Sequence, residues 1–199
     1  MRHHHTWGAK KKIKRLRAKP SMPSLFFLSD DVRVKNPLEV IAGLPHNCGI
    51  IIRDYKNLNR ETLIKTVIKS TKNTKHRLFI SNIDRYGCCN AELGEHWPQA
   101  GRASQRKKHR HQLITSSAHN LSEVGRANRL NVDGVLVSPL FSTPSHPNSK
   151  ALNIHRFVRL ARLAKPYVYA LGGVNRKSMR RIGDKMPIFG IAGIGLFKK

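Results

Sequence analysis

The chain has 199 residues, and 39% of them are hydrophobic, which suffices for the core of one domain. None of its apolar runs is long enough to span a bilayer. Its 38 Lys and Arg residues against 11 Asp and Glu give a formal net charge of +27, which favours anionic partners such as phosphorylated metabolites or nucleic acid. The three cysteines (Cys48, Cys88 and Cys89) lack metal-ligand spacing and indicate a reducing compartment. The N-terminus does not resemble a secretory signal. We therefore expect a cytoplasmic protein without membrane association.

Two blocks of like charge stand out along the chain. Residues 10–17 read KKKIKRLR and precede Pro20 and Pro23, and residues 106–111 read RKKHRH within a stretch, 96–122, that has no acidic residue. Blocks of this kind are usually solvated tails or loops. We therefore predict a basic flexible arm at residues 1–23 and one domain at residues 24–199.

Short apolar runs recur after the arm and predict eight strands. A continuous apolar run of four or five residues is typical of a strand that is buried on both faces of a parallel sheet. The predicted strands cover residues 25–28, 49–52, 78–80, 94–97, 113–114, 135–137, 167–171 and 188–192.

Helical patterns occupy the segments between several of these strands. Asn59 is a candidate N-cap for a helix at 60–70, whose apolar stripe is Leu63, Ile64, Val67 and Ile68. Asn120 and Glu123 have capping-box spacing before a helix at 121–130. A third helix opens at or just after Asn153, and its apolar side is Ile154, Phe157, Leu160 and Ala161.

The alternation of strands and helices decides the fold class. Eight β-then-α units in residues 24–199 predict an α/β fold, a compact (β/α)8 TIM barrel, with an open doubly wound sheet as the alternative. Because Phe197 is followed by two residues only, we expect no full closing helix after the eighth strand.

Polar residues collect where the predicted strands end, which is where a TIM barrel places its chemistry. They are Asp30, Arg53, Asp54, Asn82, Gln99, Ser117, His119, Thr143, Ser145 and His146. The loop after strand six, residues 138–147, reads SPLFSTPSHP. Its prolines hold the backbone extended and so present Thr143 and Ser145 to a ligand, unless this is a stiff surface loop with incidental hydroxyls.

Glycines end the last two predicted strands. Gly172 and Gly173 follow strand seven, and Gly193 and Gly195 lie near the end of strand eight. In many barrels the loops after these two strands bind phosphate through backbone N–H groups. Glycine has no side chain, so an anion can approach these N–H groups closely. The pattern predicts a phosphate site there.

The succession of motifs from residue 114 to 197 resembles the thiamine phosphate synthase/TenI family, and a weaker colinear match starts at residue 25. The family's Ser-x-His reads Ser117-Ala-His119, and its Pro-(Ile/Val)-Phe-x-Thr loop reads PLFST at 139–143. Its Ala-(Ile/Leu)-Gly-Gly-(Ile/Val) reads ALGGV at 170–174, and its Gly-(Ile/Val)-Ala strand reads GIA at 190–192. The forms SPLFSTPSHP and GIIIRDY are similar to a divergent, alphaproteobacterial-like branch.

The resemblance implies a transferase of thiamine biosynthesis, which joins hydroxymethylpyrimidine pyrophosphate to thiazole phosphate and releases pyrophosphate. It implies that Arg53 faces the pyrophosphate as a catalytic residue, and that His146, in place of a lysine, is a second catalytic candidate. The positions that match substrate-binding residues of the family are Asn82, Ser117, His119, Thr143, Ser145, Gly172, Gly173 and Gly193.

The resemblance also implies Mg²⁺ as a cofactor, but the matching positions lack the carboxylates. Ser81-Asn82 stands where the family has Asn-Asp, and Gly101 stands where an aspartate is expected. Asp84 and Glu95 are candidate substitutes. We therefore assign no metal ligand and expect activity that is weak or independent of metal.

Two other functions remain open at this stage. The TenI-type thiazole tautomerases place a histidine where this chain has Pro139, which has no acid–base group. A catalytically degenerate barrel would instead bind a phosphorylated ligand or nucleic acid through its basic surface, without sequence preference and with strong salt dependence. The sequence does not indicate an oligomeric state.

Overall fold

Eight parallel strands form a closed barrel in chain order. The computed structural model describes residues 22–82, 93–98, 112–142, 151–182 and 186–197. The strands are β1 (Leu25–Leu28), β2 (Gly49–Ile52), β3 (Arg77–Ser81), β4 (Gly94–Trp97), β5 (Ile114–Ala118), β6 (Gly134–Val137), β7 (Tyr167–Ala170) and β8 (Gly190–Gly193). Each pairs with its neighbour in sequence, and β8 pairs with β1. The (β/α)8 TIM barrel is confirmed, and the open sheet is excluded.

Two strands differ most from their predicted bounds. β5 continues beyond its predicted end through Thr115, Ser116 and Ser117. The apolar pattern did not predict this part of the strand, because both of its faces carry hydroxyl side chains. β8 begins at Gly190 rather than 188, since Ile188 and Phe189 lie before the ladder with β1.

Helices lie between the strands, and the three that begin at Arg60, Leu121 and Ile154 were predicted. The helices are α1 (Pro37–Ala42), α2 (Arg60–Thr71), α3 (Leu121–Arg129), α4 (Ile154–Leu163) and the single turn α5 (Arg176–Met179), followed after β8 by a 3-10 turn, Gly195–Phe197. None of the helices in the described ranges is long and apolar enough to cross a membrane.

The predicted caps have mixed outcomes. The Asn120 side chain accepts the Glu123 N–H at 3.0 Å, so Asn120 caps α3 as predicted, but the Glu123 carboxylate accepts the His119 N–H and does not complete the capping box. The opening of α4 just after Asn153 is confirmed, and the Asn153 side chain accepts the Arg156 N–H. Asn59 stands at the N-cap position of α2 as predicted, but its side chain makes no capping hydrogen bond, because its backbone is not extended. Ile154 is also misassigned to the apolar side of α4, since it is 40% exposed.

Aromatic rings fill the barrel floor, and glycines make room for them. Phe26 packs edge-on against Phe79 and Tyr169, with ring centroids 5.2 and 4.8 Å apart. A Cβ atom at Gly49 would stand 2.3 Å from the Phe26 ring, and one at Gly94 the same distance from the Phe79 ring. These glycines are therefore packing requirements of the floor.

The floor also binds the chain that precedes β1. The Tyr169 hydroxyl donates to the Pro23 carbonyl at 2.8 Å, and Met22 is buried beneath the same ring system. Residues 22 and 23, which we assigned to the arm, therefore pack against the barrel. Residues 1–21 lie outside the described ranges.

Candidate active site at the carboxyl ends of the strands

Arg53 follows β2 and is held by a short chain of hydrogen bonds. Its backbone N–H donates to the Ser29 hydroxyl oxygen at 2.9 Å, and that hydroxyl donates in turn to the Asp54 carboxylate. Ser29 is fully buried and Asp54 is 2% exposed, so water does not compete with these bonds. This arrangement fixes the backbone from which the Arg53 side chain projects into the barrel mouth.

The Arg53 guanidinium is anchored at one end, and its Nη1 has no partner among the described residues. Its Nη2 lies 3.4 Å from Asp30 Oδ2, and its Nε donates to the Ser29 carbonyl at 3.3 Å. Asp30 is itself held by the N–H groups of Val32 and Arg33. Burial lowers the pKa of Arg53, while Tyr55 and Asp30 oppose that shift. With 27% of its side chain exposed, Arg53 offers an oriented cation to an anion in the mouth.

A second arginine fixes the rim beside it. Arg60, at the start of α2, is 3% exposed, and its Nη2 donates to the carbonyls of Ile52 and Ser81 at 3.3 and 2.6 Å. Because these carbonyls end β2 and β3, Arg60 ties the two strand ends together.

Inside the barrel, below the mouth, lies a histidine between two hydroxyls. His96 Nδ1 is 2.9 Å from Thr115 Oγ1, and Nε2 is 3.3 Å from Ser117 Oγ. His96 is 1% exposed; burial and then the charge of Arg53 lower its pKa to about 3, so the ring is neutral at physiological pH. Ser117 is half-buried and borders the mouth.

His119 lies at the rim between β5 and β6. Its Nδ1 lies 2.9 Å from the Ser138 carbonyl, which can only accept, so Nδ1 donates and Nε2 is left as an acceptor in the neutral ring. The Glu123 carboxylate accepts the His119 backbone N–H at 2.7 Å. Glu123, in the first turn of α3, thereby positions this histidine.

The glycines after β7 support the loop after β6. The N–H groups of Leu140 and Phe141 donate to the Leu171 and Gly172 carbonyls at 2.8 and 3.0 Å. Gly172 and Gly173 have φ of 90° and 64°, in the left-handed region that favours glycine. Within the described ranges neither glycine N–H has an acceptor.

Of the remaining predicted site residues, the structure describes two, Asn82 and Gly193. Asn82 is exposed, with φ of 54°. Gly193 is buried in the ladder opposite Phe27. Thr143, Ser145 and His146 lie outside the described residues, and nothing is concluded about their placement.

The carboxylates in the described part of the mouth do not fit the Mg²⁺ site that the resemblance implies. Asp54 is engaged by Ser29, Asp30 by Arg53, and Asp31 by the Lys56 N–H at 2.9 Å. Glu95 neighbours lumen-facing His96 on β4, so strand alternation turns it away from the lumen. Mg²⁺ needs several oxygen ligands, and no group of three His, Cys, Asp or Glu in the described ranges is placed to hold a metal.

Sequence reasoning missed His96 and Ser29. Both are buried polar residues on or next to strands, and each contacts a partner on the neighbouring strand. The available signal was the alternation of polar residues in β4 and β5, which places His96, Thr115 and Ser117 on the lumen face.

Comparisons with known proteins agree with this architecture. A family model described as thiamine monophosphate synthase matches residues 49–197. A curated Aquifex aeolicus (strain VF5) protein, "Putative thiamine-phosphate synthase 2", is 26% identical over 147 residues, which are 73% of this chain and 78% of that protein.

Two solved structures share the fold. The Pyrococcus furiosus thiamine phosphate pyrophosphorylase superposes with a TM-score of 0.65 at 17% identity, over 85% of this chain and 84% of that one. The native KDPGal structure superposes with a TM-score of 0.57 at 15% identity, over 90% and 85%. The family match covers most of the barrel and agrees with the motifs that begin at Ser117, so the chain belongs to the thiamine monophosphate synthase family.

Proposed function

We propose that this protein is a thiamine phosphate synthase, which joins hydroxymethylpyrimidine pyrophosphate to thiazole phosphate. In this reaction the bond between the pyrimidine methylene carbon and the pyrophosphate oxygen breaks, and pyrophosphate leaves with the electron pair. The thiazole nitrogen then bonds to the methylene carbon, which gives thiamine phosphate. The step is slow unless the charge of the leaving group is neutralised.

One observation carries the proposal: Arg53 is anchored at the mouth with its charge exposed to a ligand. A guanidinium binds phosphoryl oxygens in a bidentate manner, and one whose backbone and side chain are already held needs little reorganisation. The Asp30 contact occupies Nη2 from one side, so an incoming pyrophosphate meets a positioned cation.

Other residues of the mouth complete the proposed substrate site. Ser117 lies near the end of β5, His119 follows β5, and Asn82 follows β3. Their polar side chains suit the pyrimidine pyrophosphate. The N–H groups of Gly172 and Gly173, which have no acceptor among the described residues, suit the thiazole phosphate. We propose Gly193, Thr143 and Ser145 for the same phosphate, and His146 as a second cation for the pyrophosphate.

The decisive experiment supplies purified protein with both phosphorylated precursors, with and without Mg²⁺. We expect thiamine phosphate and pyrophosphate to form in equal amounts. Because the described residues do not fit a magnesium site, we expect Mg²⁺ to change the rate less than the loss of Arg53 does. No product under either condition would contradict the proposal.

A second candidate function rests on the outer face of α4. Arg156, Arg159 and Arg162 are exposed there, and no ion pair of theirs occurs within the described ranges. This face suits the phosphate backbone of nucleic acid. We propose nonspecific nucleic-acid binding as a property that can accompany or replace catalysis.

A further inference from the structure

The buried His96 has two possible arrangements of its single ring proton, and they have opposite consequences for Ser117. A neutral imidazole donates from one nitrogen and accepts at the other. Both nitrogens have a hydroxyl partner: Thr115 Oγ1 at Nδ1 and Ser117 Oγ at Nε2. A doubly protonated ring is excluded, because His96 is buried and lies near the charge of Arg53.

The proton of Thr115 decides between the two arrangements. Thr115 is fully buried, and its hydroxyl has two acceptors in reach: His96 Nδ1 at 2.9 Å and the Glu95 carbonyl at 3.5 Å. Good hydrogen bonds from a hydroxyl have heavy-atom distances near 2.7–2.8 Å, so 3.5 Å is a poor contact. Thr115 therefore donates to Nδ1, and the ring proton is on Nε2.

This assignment sets the direction of the next hydrogen bond. Nε2–H donates to the Ser117 oxygen at 3.3 Å, so the serine keeps its own proton. No other acceptor for that proton occurs among the described residues. In the opposite arrangement Ser117 would donate to Nε2 and present only lone pairs to the mouth, which an anion does not accept.

We propose that His96 is a positioning residue, which holds the Ser117 hydroxyl as a hydrogen-bond donor to a phosphoryl oxygen of the bound substrate. The inference rests on the proposed function for the identity of the anion. Its basis is the relay from Thr115 to His96 to Ser117, which starts in the barrel interior and ends at the half-buried Ser117 on the border of the mouth.

The test begins with the ring proton itself. Long-range proton–nitrogen NMR on protein labelled with ¹⁵N-histidine distinguishes the two tautomers. We expect His96 to show a protonated Nε2 and an unprotonated Nδ1, with no change between pH 8 and pH 5. An Nδ1-protonated ring, or titration within that range, would overturn the inference.

The second measurement is binding of inorganic pyrophosphate by calorimetry. Ser117→Ala should weaken binding about tenfold, as expected for a lost hydrogen bond to a charged group. Ser116→Ala is the matched control: Ser116 is buried on the other face of β5, and its loss should leave the affinity unchanged. Equal affinity of wild type and Ser117→Ala would overturn the inference.

The outcomes separate this inference from the proposed function. An Nδ1-protonated His96 in a protein that still binds pyrophosphate would overturn the relay and leave the synthase proposal standing. Failure of the wild type to bind pyrophosphate would overturn both.

Discussion

Gly173 lies against Ser142 so closely that a Cβ atom at position 173 would stand 2.5 Å from the Ser142 carbonyl oxygen. The loops after β6 and β7 are thus packed together at their backbones, and two further hydrogen bonds join them at Leu140 and Phe141. The glycine that the proposed phosphate site requires is therefore also required for packing. A substitution here affects both.

Gly173→Ala should destabilise the protein by about 2 kcal/mol, because its φ is left-handed and the new methyl group meets loop backbone. Gly125→Ala is the control, since a Cβ there has only the end of the Arg129 side chain nearby, at 3.8 Å. Inside α3 that change should be neutral or stabilising. Urea denaturation measures both, and equal stabilities would contradict the packing described.

Ser29→Ala should lower the free energy of unfolding by about 2 kcal/mol, because it leaves the buried Asp54 carboxylate without its donor. It also removes the acceptor of the Arg53 N–H. Ser24→Ala, at an exposed position just before β1, is the matched control and should change little. If the two variants unfold at the same denaturant concentration, Ser29 does not hold the rim.

His96 should make the protein less stable in acid. Its folded pKa of about 3 is below the ordinary value of 6.5, so the unfolded chain binds the proton more tightly. The contribution of neutral His96 to the free energy of unfolding is therefore fully present above pH 6.5. It is lost as the pH drops toward 3, by about 2 kcal/mol between pH 7 and pH 5.

His96→Gln should remove that part of the pH dependence, whatever its effect on stability at pH 7. Replacement of the exposed His155 by Gln should leave most of it in place. Denaturation curves at pH 7 and pH 5 for the three proteins give the comparison. A wild-type slope retained in His96→Gln would show that other groups cause it.

The proposed nucleic-acid binding by the exposed face of α4 can be tested by removing three positive charges either from this face or from α2. Replacement of Arg156, Arg159 and Arg162 together by Gln should weaken binding to single-stranded nucleic acid. It should also reduce the slope of log K against log salt by up to about 2. The control replaces Lys65, Lys69 and Lys72 by Gln, which removes the same charge from α2 and its end. Its effect on nucleic-acid binding should be smaller. Equal losses would show that the total charge, not this face, governs binding.

The sequence predicted the barrel because buried parallel strands are short apolar runs, and β2, β6 and β7 are of this kind. It also located Arg53, since a polar residue directly after a strand lies at the mouth. It did not reveal His96, because His96 acquires its role from Thr115 and Ser117 on another strand. Nor did it reveal why Gly173 must be glycine, since the contact with Ser142 is tertiary.

The most direct test of the central claim is synthase turnover by Arg53→Lys. The lysine keeps the positive charge but loses the bidentate fork, so thiamine phosphate formation should fall at least about tenfold, or ~1.4 kcal/mol in activation free energy. Arg159→Lys, on the exposed face of α4, controls for the same chemical change and should retain activity. Thermal unfolding should show Arg53→Lys to be folded. If Arg53→Lys keeps full turnover and full affinity for the pyrimidine pyrophosphate, Arg53 does not anchor the leaving group and the proposed site is wrong.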